Sequence, residues 1–225
     1  MIVALYFVLY GRSAKSGKRG GKAIIICGPS GSGKTKLFLE LTQGTLSKNT
    51  ETVASVESNV ATMDKSFNTV VDIPGISSVR TKLMQKALEE YAASTIVFTA
   101  HKYISKEDFH LEDVAFLMSA IALAIQKKVP SFVLVCTSKQ KSTLEAQLKA
   151  LLSRDATQDS LDSFDGTPND LSVSISPKSL LKHLQIEDAP EAFSFSLLPF
   201  EVMFLECANC PPPEIAGKLL EIVCE

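Results

Sequence analysis

Residues 28–35, Gly28-Pro29-Ser30-Gly31-Ser32-Gly33-Lys34-Thr35, satisfy the pattern G-x-x-x-x-G-K-[ST] at every fixed position. Glycines let the backbone wrap closely round a phosphate group. Its N–H groups then point inward, at the positive end of the helix that follows. In such a loop Lys34 reaches the β- and γ-phosphates of a nucleotide, and the Thr35 hydroxyl holds Mg2+. All eight residues are therefore candidate nucleotide-binding residues, and Thr35 is also a candidate metal ligand. The bland alternative is a Gly/Ser turn that fits by chance. The flanks oppose it: the apolar run Ala23–Cys27 reads as a buried strand, and Leu37, Phe38 and Leu41 recur at helical spacing behind the loop.

A second group of residues narrows the chemistry. Asp72-Ile73-Pro74-Gly75 begins 38 residues after Lys34, at the end of an expected strand. An aspartate there can hold Mg2+ through water, and the Gly75 backbone can sense a γ-phosphate, as in the switch loops of GTPases. Between the two motifs Thr52 lies in a polar loop, where a switch threonine completes the Mg2+ shell. Thr52 as surface filler is the competing reading. The candidate metal set is thus Thr35, Thr52 and Asp72, with GTP and Mg2+ as the expected ligands.

The elements that must position these residues follow from the hydrophobic pattern. Val53–Met63 alternates in part, through Val56, Val60 and Met63, and is expected as an edge strand. Phe67–Ile73, Thr95–Ala100 and Ser131–Cys136 read as strands, the last two buried. Val79–Tyr91 reads as an amphipathic helix with Leu83, Met84, Ala87, Leu88 and Tyr91 inward, and Leu111–Ile125 as a long helix with an apolar face. Arg80 is expected on the outer face of the first of these. The polar stretch 153–172, with five aspartates, reads as a solvated insertion. Phe193–Leu198 and Phe200–Leu205, flanking Pro199, are expected to pair antiparallel. The prolines 211–213 open a last helix over Glu214–Cys224. Short apolar runs alternating with helices define an α/β fold with a mostly parallel central sheet and helices on both faces, the architecture of a P-loop NTPase G domain.

Composition sets the outer bounds. The chain has 225 residues, 45% of them hydrophobic, and a net charge of −2. That is ample for a core and gives no global attraction to nucleic acid, so no direct nucleic-acid binding is expected. Five cysteines do not suggest a disulfide framework. Cys27 and Cys136 end apolar runs as buried thiols, and the lone C-x-x-C at 207–210 is read as coincidence at a strand end. Ile2–Tyr10 is an apolar run followed by Arg12, Lys15, Lys18, Arg19 and Lys22. Nine helical residues span about 14 Å, roughly half a bilayer core. A basic flank after an apolar segment suits the cytoplasmic side of an anchor. The expectation is a short anchor remnant over 1–20, its missing part encoded upstream of Met1, ahead of a G domain over 21–225. A short interfacial anchor is the other form of that reading, and a frayed terminus or a strand tucked against the domain is the alternative.

Four features carry a family resemblance. They are the anchor-like run leading into the first strand, the Thr52–Glu57 stretch, Asp72–Gly75 followed by Ser78-Val79-Arg80-x-Lys82-Leu83, and Phe193–Ser196 shortly before Glu206-Cys207-Ala208. In order and spacing they resemble the β-subunit family of the signal recognition particle receptor, small GTPases with Arf/Sar-type G domains at the endoplasmic reticulum membrane. The resemblance covers most of residues 2–210. It implies a GTP-binding subunit that anchors the receptor α subunit for co-translational protein targeting, with the G domain on the cytosolic side and the α subunit's N-terminal domain bound through the switches. It also implies that Thr137, Ser138 and Lys139 stand where the guanine-reading motif N-K-x-D belongs. Cys207 and Ala208 stand where a backbone contact to the base is made.

This chain departs from the pattern at two places. The aspartate of N-K-x-D is missing from Thr137-Ser138-Lys139-Gln140-Lys141, so the carboxylate that accepts from guanine is lost. Ile76 occupies the place of the residue, usually glutamine, that orients the attacking water, so little or no intrinsic GTPase activity is expected and no catalytic residue is assigned. Two further classes remain open on the residues alone. One is a degenerate GTPase-like membrane tether with weak nucleotide binding. The other is a guanylate-kinase-like phosphotransferase, disfavoured because Arg80 and Arg154 are the only arginines beyond residue 22.

Overall fold

The computed structural model of the chain describes residues 22–44, 52, 55–63, 68–100, 109–157, 177–206 and 212–224. Six strands form one sheet in the order β2-β3-β1-β4-β5-β6. They are β1 (Ala23–Cys27), β2 (Asn59–Thr62), β3 (Thr69–Asp72), β4 (Ala93–Thr99), β5 (Ser131–Cys136) and β6 (Glu201–Glu206). All neighbours run parallel except β2, which pairs antiparallel with β3. The helices are α1 (Lys34–Gln43), α2 (Ser77–Glu90), α3 (Leu111–Lys127), α4 (Ser138–Thr157), α5 (Pro177–Leu184) and α6 (Pro212–Cys224).

Strand alternation splits the core into two layers. Ile24 and Ile26 of β1 face α1 and α6, where Leu37, Phe38, Leu41, Ile215 and Leu219 cover them. Ile25 and Cys27 face the opposite layer, built on α2, α3 and α4. Helix α3 is the centre of that layer, and its Leu117, Ala120, Ile121 and Ala124 are fully removed from water. Both faces of β1 are thereby dry, as its unbroken apolar sequence requires.

Several expectations are revised. The edge strand is confined to Asn59–Thr62, and Val60 faces solvent while Met63 is buried. Residues three apart on a strand point to opposite faces, so those two apolar side chains never shared one. The expected antiparallel pair does not form. Phe195–Leu197 is a 3-10 turn, and only Glu201–Glu206 is a strand, parallel to β5. Phe193 packs edge-on against Phe195, and Phe195 against Phe204, at 5.8 and 5.6 Å between ring centres. Burying both rings directs the run inward, where it cannot extend along a sheet edge. Helix α4, absent from the sequence reading, carries Leu144, Leu148 and Leu152 on one buried stripe and continues through Arg154 into the start of the stretch read as solvated. Residues 2–10 and most of 153–172 lie outside the described residues.

Arg80 is not on an outer face. It is 3% exposed, and its Nη1 lies 2.6 Å from Asp113 Oδ1. Its Nη2 donates to the Glu112 carbonyl at 2.6 Å, and the guanidinium stacks 4.6 Å above the Phe116 ring. The helical stripe around Met84, Ala87 and Leu88 also includes position 80, one turn before Met84, so Arg80 is carried inward to the first turn of α3. There the acidic residues Glu112 and Asp113 lie at that helix's positive end. Removing one partner strands a buried charge, which costs about 3–5 kcal/mol. Arg80→Met and Asp113→Asn should each lower stability on that scale in urea unfolding, and the double variant should lose much less than the sum. Additive losses would show that the pair is not coupled.

Candidate nucleotide-binding site

The loop between β1 and α1 folds as its glycines dictate. Gly28 has φ +139°, and a Cβ placed there would collide with the Thr99 carbonyl oxygen of the adjacent strand. The loop can leave the sheet at that angle only with glycine. Ser32 Oγ and Thr99 Oγ1 are hydrogen-bonded at 2.6 Å in a buried contact, tying the loop's crown to β4. Lys34 is the first residue of α1, not a loop residue, and is only 5% exposed. Its Nζ donates to the Pro29 carbonyl at 2.6 Å and to Ser32 Oγ at 3.4 Å, inside the loop's own arc.

Asp72 ends β3 beside this loop. Its Oδ2 accepts from Thr35 Oγ1 at 2.8 Å and from Asn59 Nδ2 at 3.1 Å. Its Oδ1 is buried and has no hydrogen-bond partner among the described residues. Burial pushes the Asp72 carboxyl above its ordinary range, opposed by the bonds from Thr35 and Asn59 and by the charge of Lys34. Burial lowers the Lys34 ammonium in turn, opposed chiefly by Asp72. A carboxylate and an ammonium buried beside one cavity, one with an unsatisfied oxygen, form a site built for a charged ligand. Cys27, immediately before the loop, takes no part: burial pushes its thiol up to about 12, far from a reactive thiolate.

These groups line a cavity of about 210 Å³ together with Ser30, Gly31, Gly33, Thr52, Ser55, Glu57, Pro74 and Gly75. The structure therefore brings the phosphate loop, Thr52, Asp72 and Gly75 to one place. Sequence reasoning missed Asn59, Ser55 and Glu57 in the lining and Thr99 beneath the loop; the polar threonine at the end of an apolar strand was the available signal for Thr99. Thr137, Ser138 and Lys139 lie elsewhere along the carboxyl ends of the strands. Thr137 N donates to Gln140 Oε1 at 2.9 Å and Gln140 N to Thr137 Oγ1 at 3.1 Å, a reciprocal cap on α4. Ser138 Oγ is bonded to Glu206 Oε1 at 3.0 Å, joining the ends of β5 and β6. Cys207 and Ala208 lie outside the described residues.

A phosphate loop opening a mostly parallel sheet, faced by an aspartate and a D-x-P-G turn from the neighbouring strand, defines a GTPase-type α/β domain. The family model described as the signal recognition particle receptor beta subunit matches residues 19–202, and the chain belongs to that family. It is 25% identical to signal recognition particle receptor subunit beta of Homo sapiens, over 92% of this chain and 75% of that protein. The subunits of Mus musculus and Rattus norvegicus are 25% and 26% identical, each over 92% of this chain and over 76% and 75% of their own lengths. Among solved structures, that of the mammalian SRP receptor superposes with a TM-score of 0.61 at 21% identity, covering 89% of this chain and 100% of that one. That likeness establishes the fold.

Gly75 packs flat against the phosphate loop. A Cβ there would lie 2.5 Å from Ser30 N and 2.6 Å from Ser30 Cα. Gly75→Ala must therefore push the two loops apart, at a cost of about 1–3 kcal/mol for overpacking. Hydrogen exchange should quicken at backbone amides in both 28–35 and 73–76, with β4 and β5 unaffected. Unchanged exchange in the phosphate loop would show that the two loops do not brace each other.

Proposed function

We propose that this chain is the nucleotide-binding β subunit of a signal recognition particle receptor, taking GTP with Mg2+ and holding the receptor α subunit at the endoplasmic reticulum membrane. The observation that carries the nucleotide reading is the unsatisfied Asp72 Oδ1 beside the Thr35 hydroxyl, at the foot of a loop into which Lys34 folds back. Buried carboxylate oxygens are rarely left without a partner, and a hard divalent cation with its waters fits an all-oxygen donor set. Thr35, Thr52 and Asp72 would hold Mg2+, which would supply positive charge to the nucleotide's phosphates. Lys34 would exchange its loop partners for phosphate oxygens, and Gly75 would present its backbone to the γ-phosphate.

The same residues favour a ligand-holding role over rapid turnover. Ile76 flanks α2 with an aliphatic side chain that can orient no water. Arg80, the arginine nearest the turn, is committed to Asp113 and Glu112. GTP would then serve chiefly to shape the switch loops for the α subunit. Guanine selectivity would rest on backbone contacts, since Gln140 stands in the capping interaction with Thr137. Attachment to the membrane would fall to the apolar run 2–10; among the described residues no helix is long and apolar enough to cross a membrane.

Purified protein should retain GTP and GDP in preference to adenine nucleotides, and Lys34→Ala should lose at least about tenfold in affinity, the scale of one charge-assisted phosphate contact. Unchanged binding in that variant would overturn the site. In single-turnover assays the preloaded chain should hydrolyse GTP very slowly, and Ile76→Gln should quicken it. Rapid hydrolysis by the unaltered chain, with no partner present, would mean that the water-orienting group lies elsewhere.

A further inference from the structure

We infer that Asn59 is a positioning residue for the metal-facing oxygen of Asp72, an inference that rests on the nucleotide reading above. Asn59 stands directly opposite Asp72 in the antiparallel β2–β3 ladder. Side chains so paired leave the sheet on the same face with Cβ atoms about 5 Å apart, close enough for a direct bond between their tips. The Asn59 amide donates to Asp72 Oδ2 at 3.1 Å, the same oxygen that receives the Thr35 hydroxyl at 2.8 Å. Oδ2 is thus held by two donors on different elements, and Oδ1, buried and without a partner among the described residues, is the oxygen left to be satisfied by an ion or its water.

A terminal carboxylate has a broad torsional well, so nothing intrinsic to an aspartate decides which oxygen faces the site. Thr35 alone is an incomplete clamp, because the same hydroxyl is also the expected metal ligand. Asn59 supplies the second hold from outside the expected set of Thr35, Thr52 and Asp72. It brings no charge, so it orients the carboxylate without competing with the cation. Because β2 is an edge strand, paired only through β3 among the described strands, this bond also ties the start of β2 to the end of β3. Outer groups that orient a metal ligand are typically worth about 10–100-fold in metal affinity.

The test separates metal dependence from nucleotide affinity as such. Binding of a fluorescent GDP would be titrated with Mg2+ for the unaltered chain, Asn59→Ala and Asn59→Leu, which keeps the branched shape and removes the donor. The expected result is a rise of about tenfold or more in the half-saturating Mg2+ concentration for both variants, well beyond any change in their GDP affinity in chelator. If Asn59→Ala fails to fold, Asn59→Leu carries the comparison. Mg2+ dependence identical to that of the unaltered chain in a folded variant would overturn the inference and leave the nucleotide reading intact. A parallel loss of GDP affinity in chelator would overturn it in favour of a purely structural role. An unaltered chain that binds GDP without any response to Mg2+, or does not bind it, would overturn the metal reading and this inference together.

Discussion

A buried carboxylate at the end of β3 is the constraint around which the site is arranged. Removing Asp72 from water is unfavourable unless its oxygens are satisfied, and only one of them is. The partners of that one oxygen come from α1 and β2, so the position of the first helix and the attachment of the edge strand both converge on it. Lys34 supplies the opposing charge from the base of the phosphate loop. The imbalance left at Oδ1 is the kind of local cost that a protein sustains where a ligand is to be bound.

Around that point the loops are held by contacts that leave little room for other side chains. Gly28 lets the phosphate loop lean on Thr99, and Gly75 lets the D-x-P-G turn lie against Ser30. One turn into α2, Arg80 locks the helix after that turn to the start of α3 through Asp113, Glu112 and Phe116. The turn is thus braced from both sides, by backbone contact on one and by a buried ion pair on the other. The arginine so engaged is also unavailable for stabilising charge during phosphoryl transfer, which joins the fold's rigidity to the expectation of slow hydrolysis.

Much of the site was legible in the chain because its parts are local. The phosphate-loop motif is eight consecutive residues, its glycines acting through backbone and its lysine and threonine through their side chains, and the apolar runs either side declare a strand and a helix. The D-x-P-G turn is likewise contiguous. Helix α4 was legible in principle through Leu144, Leu148 and Leu152, yet its many charges masked that stripe in a reading weighted towards apolar runs.

Local sequence pattern was enough for the phosphate loop, all six strands in outline though not the pairing of the last, the alternation that makes the sheet parallel, and the buried thiols of Cys27 and Cys136. Each follows from residue type and a short period. Tertiary structure alone decided which polar side chains meet. Asn59 lies beside Asp72 because of an antiparallel register across 13 residues, and Arg80 lies beneath the surface because α3 offers it Asp113, 33 residues on. Charged and amide side chains have no preferred interior of their own. They are buried only where a distant partner meets them, and that partner is set by how the elements pack rather than by any local pattern.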